Sequence, residues 1–201
     1  PAGPSELMVV ADASANAAFV ASDLLSQAEH GPESQVLLVT TDRDMIDQVD
    51  EEVEMQISFL PRQDAARKAL QNSKIIYFDN EEEALAFSNF YGAEHLIVCL
   101  KNEVEFVEKI KHAGSVFIGN YTPESAGDYA SGTNHTLPTN GYVRQYSGVN
   151  LDSFLKAITY QKISANGLQD LGPVIEEMAN AEGLQAHKNS VSIRLKELQN
   201  E

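Results

Sequence analysis

The sequence is poor in basic residues, and this already narrows its possible partners. Its 201 residues contain 14 lysines and arginines against 30 aspartates and glutamates, which gives a formal net charge of −16. Nucleic-acid binding depends on basic side chains at the phosphates, so this charge argues against a nucleic-acid partner and equally against an anionic membrane surface. No apolar run approaches the ~18 residues that cross a bilayer, so we expect a soluble globular protein with no membrane partner.

Cysteine is also scarce, and the common cofactor motifs are missing. The single cysteine, Cys99, cannot form an internal disulfide and lies in the apolar run 95–100, so we predict a core position for it. The sequence contains no glycine fingerprint for dinucleotide phosphates, no Walker loop, no Cys-x-x-Cys pair and no nucleophile elbow. Any nicotinamide chemistry therefore needs residues that this chain does not display.

The hydrophobic pattern predicts an α/β fold. Short apolar runs alternate with amphipathic stretches up to about residue 119, which is typical of βα units around a mainly parallel sheet. The predicted strands are 6–11, 35–40, 74–78, 95–100 and 115–118. Helices are predicted at 14–29, capped by Asp12 or Ser14, at 43–60, and from Glu81 onward. We predict an incomplete Rossmann-like βα domain followed by a helical C-terminal tail.

Two domains are predicted, 1–150 and 151–201. Between residues 120 and 150 the composition shifts to small and polar residues, and Thr122 is predicted to cap a short helix that begins at Pro123. In the tail, apolar residues recur at helical spacing on both sides of Gly183, which predicts two amphipathic helices. Because two such helices cannot bury their apolar faces alone, we expect them to pack on the first domain or on another subunit.

Two polar residues interrupt the predicted apolar face of the first helix. Gln27 continues the stripe of Ala17, Val20 and Leu24, and His30 stands three residues further along the same face. A polar group on a buried face needs a partner, and a metal ion can be one. The commoner alternative for such a pair near a helix end is that both side chains cap carbonyl groups or face water.

Three further places carry groups suited to acid–base or metal chemistry. Glu94 and His95 begin a predicted strand, where adjacent side chains point to opposite faces unless the backbone is irregular. The two residue types suit acid–base chemistry, because a His can transfer protons near neutral pH and a Glu can activate water. Asp128 and His135 stand seven residues apart among small residues that admit a ligand, although an ordinary turn explains them too. His187 lies on the apolar stripe of the last helix, either as a core residue or presented to a site outside that helix.

Taken together, these places resemble one family, histidinol dehydrogenase, the zinc enzyme that ends histidine biosynthesis. The matching segments run in family order: Pro1-Ala2-Gly3-Pro4-Ser5-Glu6, Asp23-Leu24-Leu25-Ser26-Gln27-Ala28-Glu29-His30, Ala93-Glu94-His95-Leu96, Gly119-Asn120-Tyr121-Thr122-Pro123-Glu124-Ser125-Ala126-Gly127-Asp128-Tyr129, Gly132-Thr133-Asn134-His135-Thr136-Leu137-Pro138-Thr139 and Ala186-His187-Lys188-Asn189. The resemblance implies a cytoplasmic oxidoreductase of amino-acid biosynthesis.

The resemblance implies a role for each of these residues. The residues that match the family's zinc ligands, one Zn²⁺ per site, are Gln27, His30, Asp128 and His187. Their nitrogen and oxygen donors suit the metal, which in this family mainly grips the amino and imidazole nitrogens of the substrate. The substrate-contacting positions are matched by these four residues and by Ser5, His95, His135 and Glu182. Glu94 and His95 match the catalytic acid–base pair.

The implied reaction takes L-histidinol through L-histidinaldehyde to L-histidine and delivers one hydride to each of two NAD⁺. His95 would remove a proton, and Glu94 would activate the water that hydrates the aldehyde. Family members are much longer and bind NAD mainly through their N-terminal part. We therefore expect this chain, whose first residues lead straight into a strand, to be a fragment that is inactive alone.

Family members are also homodimers in which the C-terminal segment reaches into the site of the partner. Glu182 and His187 would then complete the site across the subunit interface. A non-catalytic metal-binding or histidinol-binding module remains the alternative, and the coding sequence upstream of Pro1 would distinguish the two.

Overall fold

The computed structural model describes residues 3–200. Pro1 and Ala2 lie outside the described residues, and with them the beginning of the first matching segment and of the first predicted domain. The chain divides into two compact units, Pro1–Leu155 and Lys156–Glu201. The division falls five residues beyond the predicted boundary at 150.

The first unit is built on a parallel sheet. Within the described residues it has five strands: β1 (Glu6–Ala11), β2 (Gln35–Thr40), β3 (Lys74–Tyr77), β4 (His95–Cys99) and β5 (Ser115–Ile118). Each agrees with a predicted strand to within one residue at either end. All neighbouring pairs are parallel, and the order is β3-β2-β1-β4-β5, which matches the first five positions of the Rossmann order. The predicted fold class is confirmed.

Six helices accompany this sheet in the described part of the unit: α1 (Ala17–Ala28), α2 (Asp44–Ile57), α3 (Gln63–Gln71), α4 (Glu81–Tyr91), α5 (Glu103–Val107) and α6 (Glu124–Tyr129). The predicted start at Glu81 is confirmed, and the Asn80 side chain caps it. The predicted cap of α1 is wrong. Asn16 caps this helix by accepting from two N–H groups of the first turn, while the Asp12 side chain bonds to Ser14 in the preceding loop.

Side chains of β1 alternate between two cores, one on each face of the sheet. Leu7, Val9 and Ala11 pack with residues of α1, α2 and α3, whereas Met8 and Val10 pack with residues of α4 and α5. Both faces are therefore covered, which explains the continuous apolar runs in the strands. Cys99 is buried in the first of these cores, as predicted.

The connection after β5 is less regular, as the composition shift predicts. The predicted capping of α6 by Thr122 is wrong, because the Thr122 hydroxyl donates to the Ile118 carbonyl at 2.7 Å and Pro123 occupies the cap position. Short 3₁₀ turns follow at Tyr142–Arg144 and Leu151–Phe154.

The second unit contains the two predicted tail helices, α7 (Ala165–Ala181) and α8 (Gln185–Asn200). They separate at Gly183, whose φ of +73° suits glycine. The helices pack closely at Gly172, where a Cβ would lie 2.7 Å from the Leu195 Cδ1 atom. Several large apolar side chains of this unit stay exposed, among them Leu171, Val174, Met178 and Ile193.

Among residues 3–200, no helix is long and apolar enough to cross a bilayer.

Candidate active site

Charged and polar side chains collect at the amino edge of the sheet. Glu6 is the first residue of β1 and His95 the first of β4, and these strands pair with Leu7 opposite His95. Since α1 connects two parallel strands, its C-terminal end, which carries Gln27, returns to the same edge. Ligands of open α/β sheets usually lie at the carboxyl edge, so this arrangement is unusual for the fold class.

Glu94 and His95 converge on one residue, Glu6. The Glu94 Oε2 atom accepts from the Glu6 N–H at 2.9 Å, and the His95 Nδ1 atom lies 3.3 Å from the Glu6 carbonyl oxygen. Their side chains approach to 3.8 Å between Glu94 Oε2 and His95 Nδ1. The expectation that they diverge is wrong, because Glu94 precedes β4 and the alternation of strand side chains does not extend to it.

The contact with Glu6 assigns the tautomer of His95. A carbonyl oxygen only accepts hydrogen bonds, so the neutral ring carries its proton on Nδ1 and leaves Nε2 as a base. Nε2 is buried and has no hydrogen-bond partner among the described residues. It lies 3.8 Å from the Asp128 Oδ1 atom, and Nδ1 lies 3.7 Å from the Glu124 Oε1 atom. The basic nitrogen is therefore available to a ligand.

Burial controls the ionisation of this cluster. It raises the pKa of Glu94 to about 7, with further increases from the charges of Glu6 and Asp128. It raises the pKa of Glu124 to about 8, assisted by the charge of Asp128. The pKa of His95 is lowered by burial, although the charge of Asp128 opposes this. The cluster thus holds protons on carboxyl groups and a neutral imidazole near pH 7, a distribution suited to proton transfer.

A group of possible metal ligands adjoins the acid–base pair. One ligand atom each from His30, Glu124 and Asp128 lies within 4.8 Å of the others. His30 and Asp128 were predicted as ligands, whereas Glu124 was not. Glu124 and Asp128 stand four residues apart on α6, an arrangement of like charges that destabilises a helix unless a cation or proton offsets it. That spacing was the available signal for Glu124.

Gln27 supplies the most direct indication of a missing partner. Its side chain is only 1% exposed, and neither Oε1 nor Nε2 has a hydrogen-bond partner among the described residues. A buried amide without partners is costly, so a ligand at this position would offset that cost. An amide oxygen, the His30 imidazole and the carboxylates of α6 are donor types that Zn²⁺ accepts. The donor set of the first unit therefore fits a zinc ion.

A glycine brings α6 close to the sheet. At Gly127 a Cβ would lie 2.6 Å from Phe117 Cε1 and 2.8 Å from Thr133 Oγ1, distances that no side chain tolerates. The Gly127 carbonyl also accepts from the Thr133 hydroxyl at 3.2 Å. This close packing sets the position of Asp128, the next residue.

The remaining predicted site residues have different surroundings. Ser5 is half-buried and directly precedes Glu6, and His135 is exposed but near enough for its charge to lower the pKa of His95. Glu182 and His187 belong to the second unit, and both are exposed. The core interpretation of His187 is therefore wrong, and the interpretation as a group presented outside its helix stays a prediction.

The carboxyl edge of the sheet does not fit a dinucleotide. After β1, the two Asp12 carboxylate oxygens accept from the N–H groups of Ser14 and Lys101, at 2.8 and 2.9 Å. Nearby, Asn120 accepts from the Asn16 N–H and donates to the Ser14 carbonyl. Nucleotide-binding domains place glycines and free N–H groups at this position, where they bind the phosphates. Here a phosphate would instead be repelled by the charge of Asp12.

The fold and the site define a Rossmann-like α/β protein with a buried acid–base cluster beside metal-type ligands. The family model for histidinol dehydrogenase matches residues 1–195. The chain belongs to the histidinol dehydrogenase family.

Individual relatives agree with this assignment. Histidinol dehydrogenase of Bacteroides thetaiotaomicron is 58% identical over 198 residues, which make up 98% of this chain and 46% of that protein. The enzyme of Aliivibrio fischeri is 54% identical over 98% of this chain and 45% of its own length. The crystal structure of histidinol dehydrogenase from Elizabethkingia anophelis superimposes with a TM-score of 0.94 at 58% identity, covering 99% of this chain and 46% of that one. The chain thus spans about half the length of these relatives.

Proposed function

We propose that this chain is part of a zinc-dependent, NAD-linked dehydrogenase that oxidises L-histidinol through L-histidinaldehyde to L-histidine, the last steps of histidine biosynthesis. The observation that carries the proposal is the buried, unprotonated Nε2 atom of His95, which lies beside Asp128 in a cluster of metal-type ligands. Membership of the family supplies the substrate.

Gln27, His30 and Asp128 hold the zinc ion in this proposal, and His187 of a second copy completes the set. When bound, zinc fixes the amino and imidazole nitrogens of the substrate. The buried amide of Gln27 and the grouping of His30 with Asp128 support the assignment. Ser5, His135 and Glu182 are assigned to the substrate.

His95 acts as the base, because its Nε2 atom is unprotonated and its Nδ1 proton is held by the Glu6 carbonyl. Glu94 removes a proton from the water that hydrates the aldehyde. Burial raises the pKa of Glu94 to about 7, so this carboxyl group can both accept and release a proton near neutral pH. Burial of both side chains limits competing access of bulk water.

We propose a homodimer, which exposed side chains of the second unit support. Its helices leave Leu171, Val174, Met178 and Ile193 exposed, and His187 and Glu182 are exposed as well. An apolar surface of this kind is typical of an interface, so we propose that it packs on a partner whose site receives His187. We propose that NAD binds mainly to the part of the family's sequence that this chain does not span, because the carboxyl edge of the sheet does not fit a dinucleotide.

The test uses the full-length protein. We expect about one zinc per site and NADH production that depends on L-histidinol, and a His187→Asn variant should lose most of its zinc. A protein that holds no zinc and leaves histidinol unoxidised would contradict the proposal. Zinc or histidinol binding without NADH production would instead support the non-catalytic binding module. The observation that favours this alternative is that the cluster of metal-type ligands lies entirely within the first unit.

A further inference from the structure

We propose that Glu6 is a positioning residue: its backbone fixes the relative geometry of Glu94 and His95, and its buried carboxylate sets the electrostatic surroundings of Glu94. The proposal rests on the proposed function for the reaction in which this pair acts. Glu6 itself stands outside every role assigned above.

The backbone of Glu6 binds both members of the pair. Its N–H donates to Glu94 Oε2 at 2.9 Å, and its carbonyl oxygen lies 3.3 Å from His95 Nδ1. One peptide segment at the start of β1 therefore orients the carboxylate and selects the tautomer of the imidazole. Because β1 is buried between two neighbouring strands, this segment is held rigidly.

The side chain of Glu6 has no evident structural reason to be charged. It is 6% exposed and begins a strand whose other five residues are apolar and buried. Its Oε1 atom accepts from the Asn140 N–H at 2.9 Å, a bond that a glutamine could also accept. Its Oε2 atom is buried and has no partner among residues 3–200. A second carboxylate buried next to Glu94 is unfavourable for folding, which points to a role in the chemistry.

Several ionisable groups face Glu94 from different elements. They are Glu6 on β1, Tyr91 on α4, His95 on β4, and Glu124 and Asp128 on α6. Burial is the main reason that the pKa of Glu94 is raised; the hydrogen bond from the Glu6 N–H lowers this pKa, and the charges of Glu6 and Asp128 raise it further. Burial and the charges of Glu6 and Glu94 also raise the pKa of Tyr91. The electrostatic influence of Glu6 on this region is therefore not confined to one group.

The experiment compares Glu6→Gln with Glu6→Asp in the full-length enzyme. Glutamine keeps the shape and the Asn140 bond but removes the charge, whereas aspartate keeps the charge on a shorter arm. We expect the acidic limb of the kcat–pH profile to move to lower pH by about one unit in Glu6→Gln and to stay near the wild-type position in Glu6→Asp. The exposed Glu33→Gln is the matched control and should leave the profile unchanged.

Two outcomes overturn the inference. One is a Glu6→Gln enzyme with a wild-type profile, and the other is an equal shift in both Glu6 variants, which would indicate a structural role only. An infrared titration of the buried carboxyl groups, with the Glu94 band assigned by its loss in Glu94→Gln, gives an independent reading. If the wild type does not oxidise histidinol, the proposed function fails. The role of Glu6 is rejected separately, by a Glu94 titration that is the same in Glu6→Gln as in the wild type.

Discussion

The Nε2 atom of His95 lies 3.8 Å from the Oδ1 atom of Asp128. This contact brings the first residue of β4 next to α6, the helix that follows β5. Asp128 also belongs to the group of metal-type ligands with His30 and Glu124. A ligand held by that group would therefore lie next to the only nitrogen of His95 that can accept a proton. This relationship makes the two parts of the site separable by mutation.

Replacement of His95 should remove proton transfer without removing metal. His95→Asn keeps a donor for the Glu6 carbonyl but lacks a base at the Nε2 position, so we expect kcat to fall by roughly 10²- to 10⁴-fold in the full-length enzyme. Zinc content should stay within about 20% of wild type, because our assigned ligands do not include His95. The control is His112→Asn, which lies outside the cluster.

An activity of His95→Asn within about threefold of wild type would show that His95 is not the base. Loss of zinc in the same variant would indicate instead that His95 helps to hold the metal site together. Steady-state kinetics and metal analysis of one preparation separate these results.

Gln27 should show opposite effects on the metal-free fold and on metal binding. Gln27→Met replaces a buried amide that lacks partners with an apolar side chain of similar size, so the chelator-treated protein should be more stable by about 1–3 kcal/mol. The same change removes an oxygen donor, and zinc affinity should fall by at least about tenfold. Denaturant unfolding with a chelator and competition for zinc measure the two effects.

The contrary result for Gln27 is a variant that is destabilised without metal and binds zinc normally. That combination would mean that the amide has a structural partner instead of a metal. Gln48→Met, at an exposed position on α2, is a control for the general effect of the substitution.

Much of the fold was predictable because the strands are buried on both faces. Continuous apolar runs gave all five strands to within one residue, and Gly183 gave the break between α7 and α8. The short helix α3 was not predicted. The cap of α1 was misplaced, because Asp12 serves the carboxyl edge of the sheet instead of the helix.

The candidate site was predictable only in part, because it depends on contacts across the sheet. Gln27 was recognisable as a polar residue on an apolar face, and its burial agrees with that interpretation. Glu6 and Glu124 were missed, since each reads locally as part of a strand or of a helix start. Their importance depends on neighbours 88 and 98 residues away in the chain, Glu94 and Ser26 respectively.

Close packing of α6 against the sheet should be essential for the metal-type cluster. Gly127→Ala places a Cβ in contact with Phe117 and Thr133, so we expect a loss of about 1–3 kcal/mol in unfolding free energy and weaker zinc binding, because Asp128 moves with the helix. The control is Gly31→Ala, where a Cβ meets only the flexible Glu33 side chain at 3.5 Å. Equal stability and zinc affinity of Gly127→Ala and wild type would contradict this account.

The buried Asp23 on α1 should make the metal-free protein less stable as the pH rises. Burial raises the pKa of Asp23 from 3.8 to about 7 in the folded state, so the folded form binds the proton more tightly than the unfolded form. The stabilisation is therefore complete below about pH 4 and is lost as the pH rises through about 7. Asp23→Asn cannot ionise and should be more stable than wild type at pH 8, by at most about 4 kcal/mol.

Denaturant unfolding between pH 4 and pH 8, in the presence of a chelator, measures this difference. The stability of Asp23→Asn relative to wild type should grow with pH, whereas the exposed Asp50→Asn on α2 should show no such trend. Burial also raises the pKa values of Glu94 and Glu124, so these groups add a slope of the same sign in both proteins. A difference between Asp23→Asn and wild type that does not change with pH would show that Asp23 is ionised equally in both states, because only a pKa that differs between them produces a pH-dependent stability.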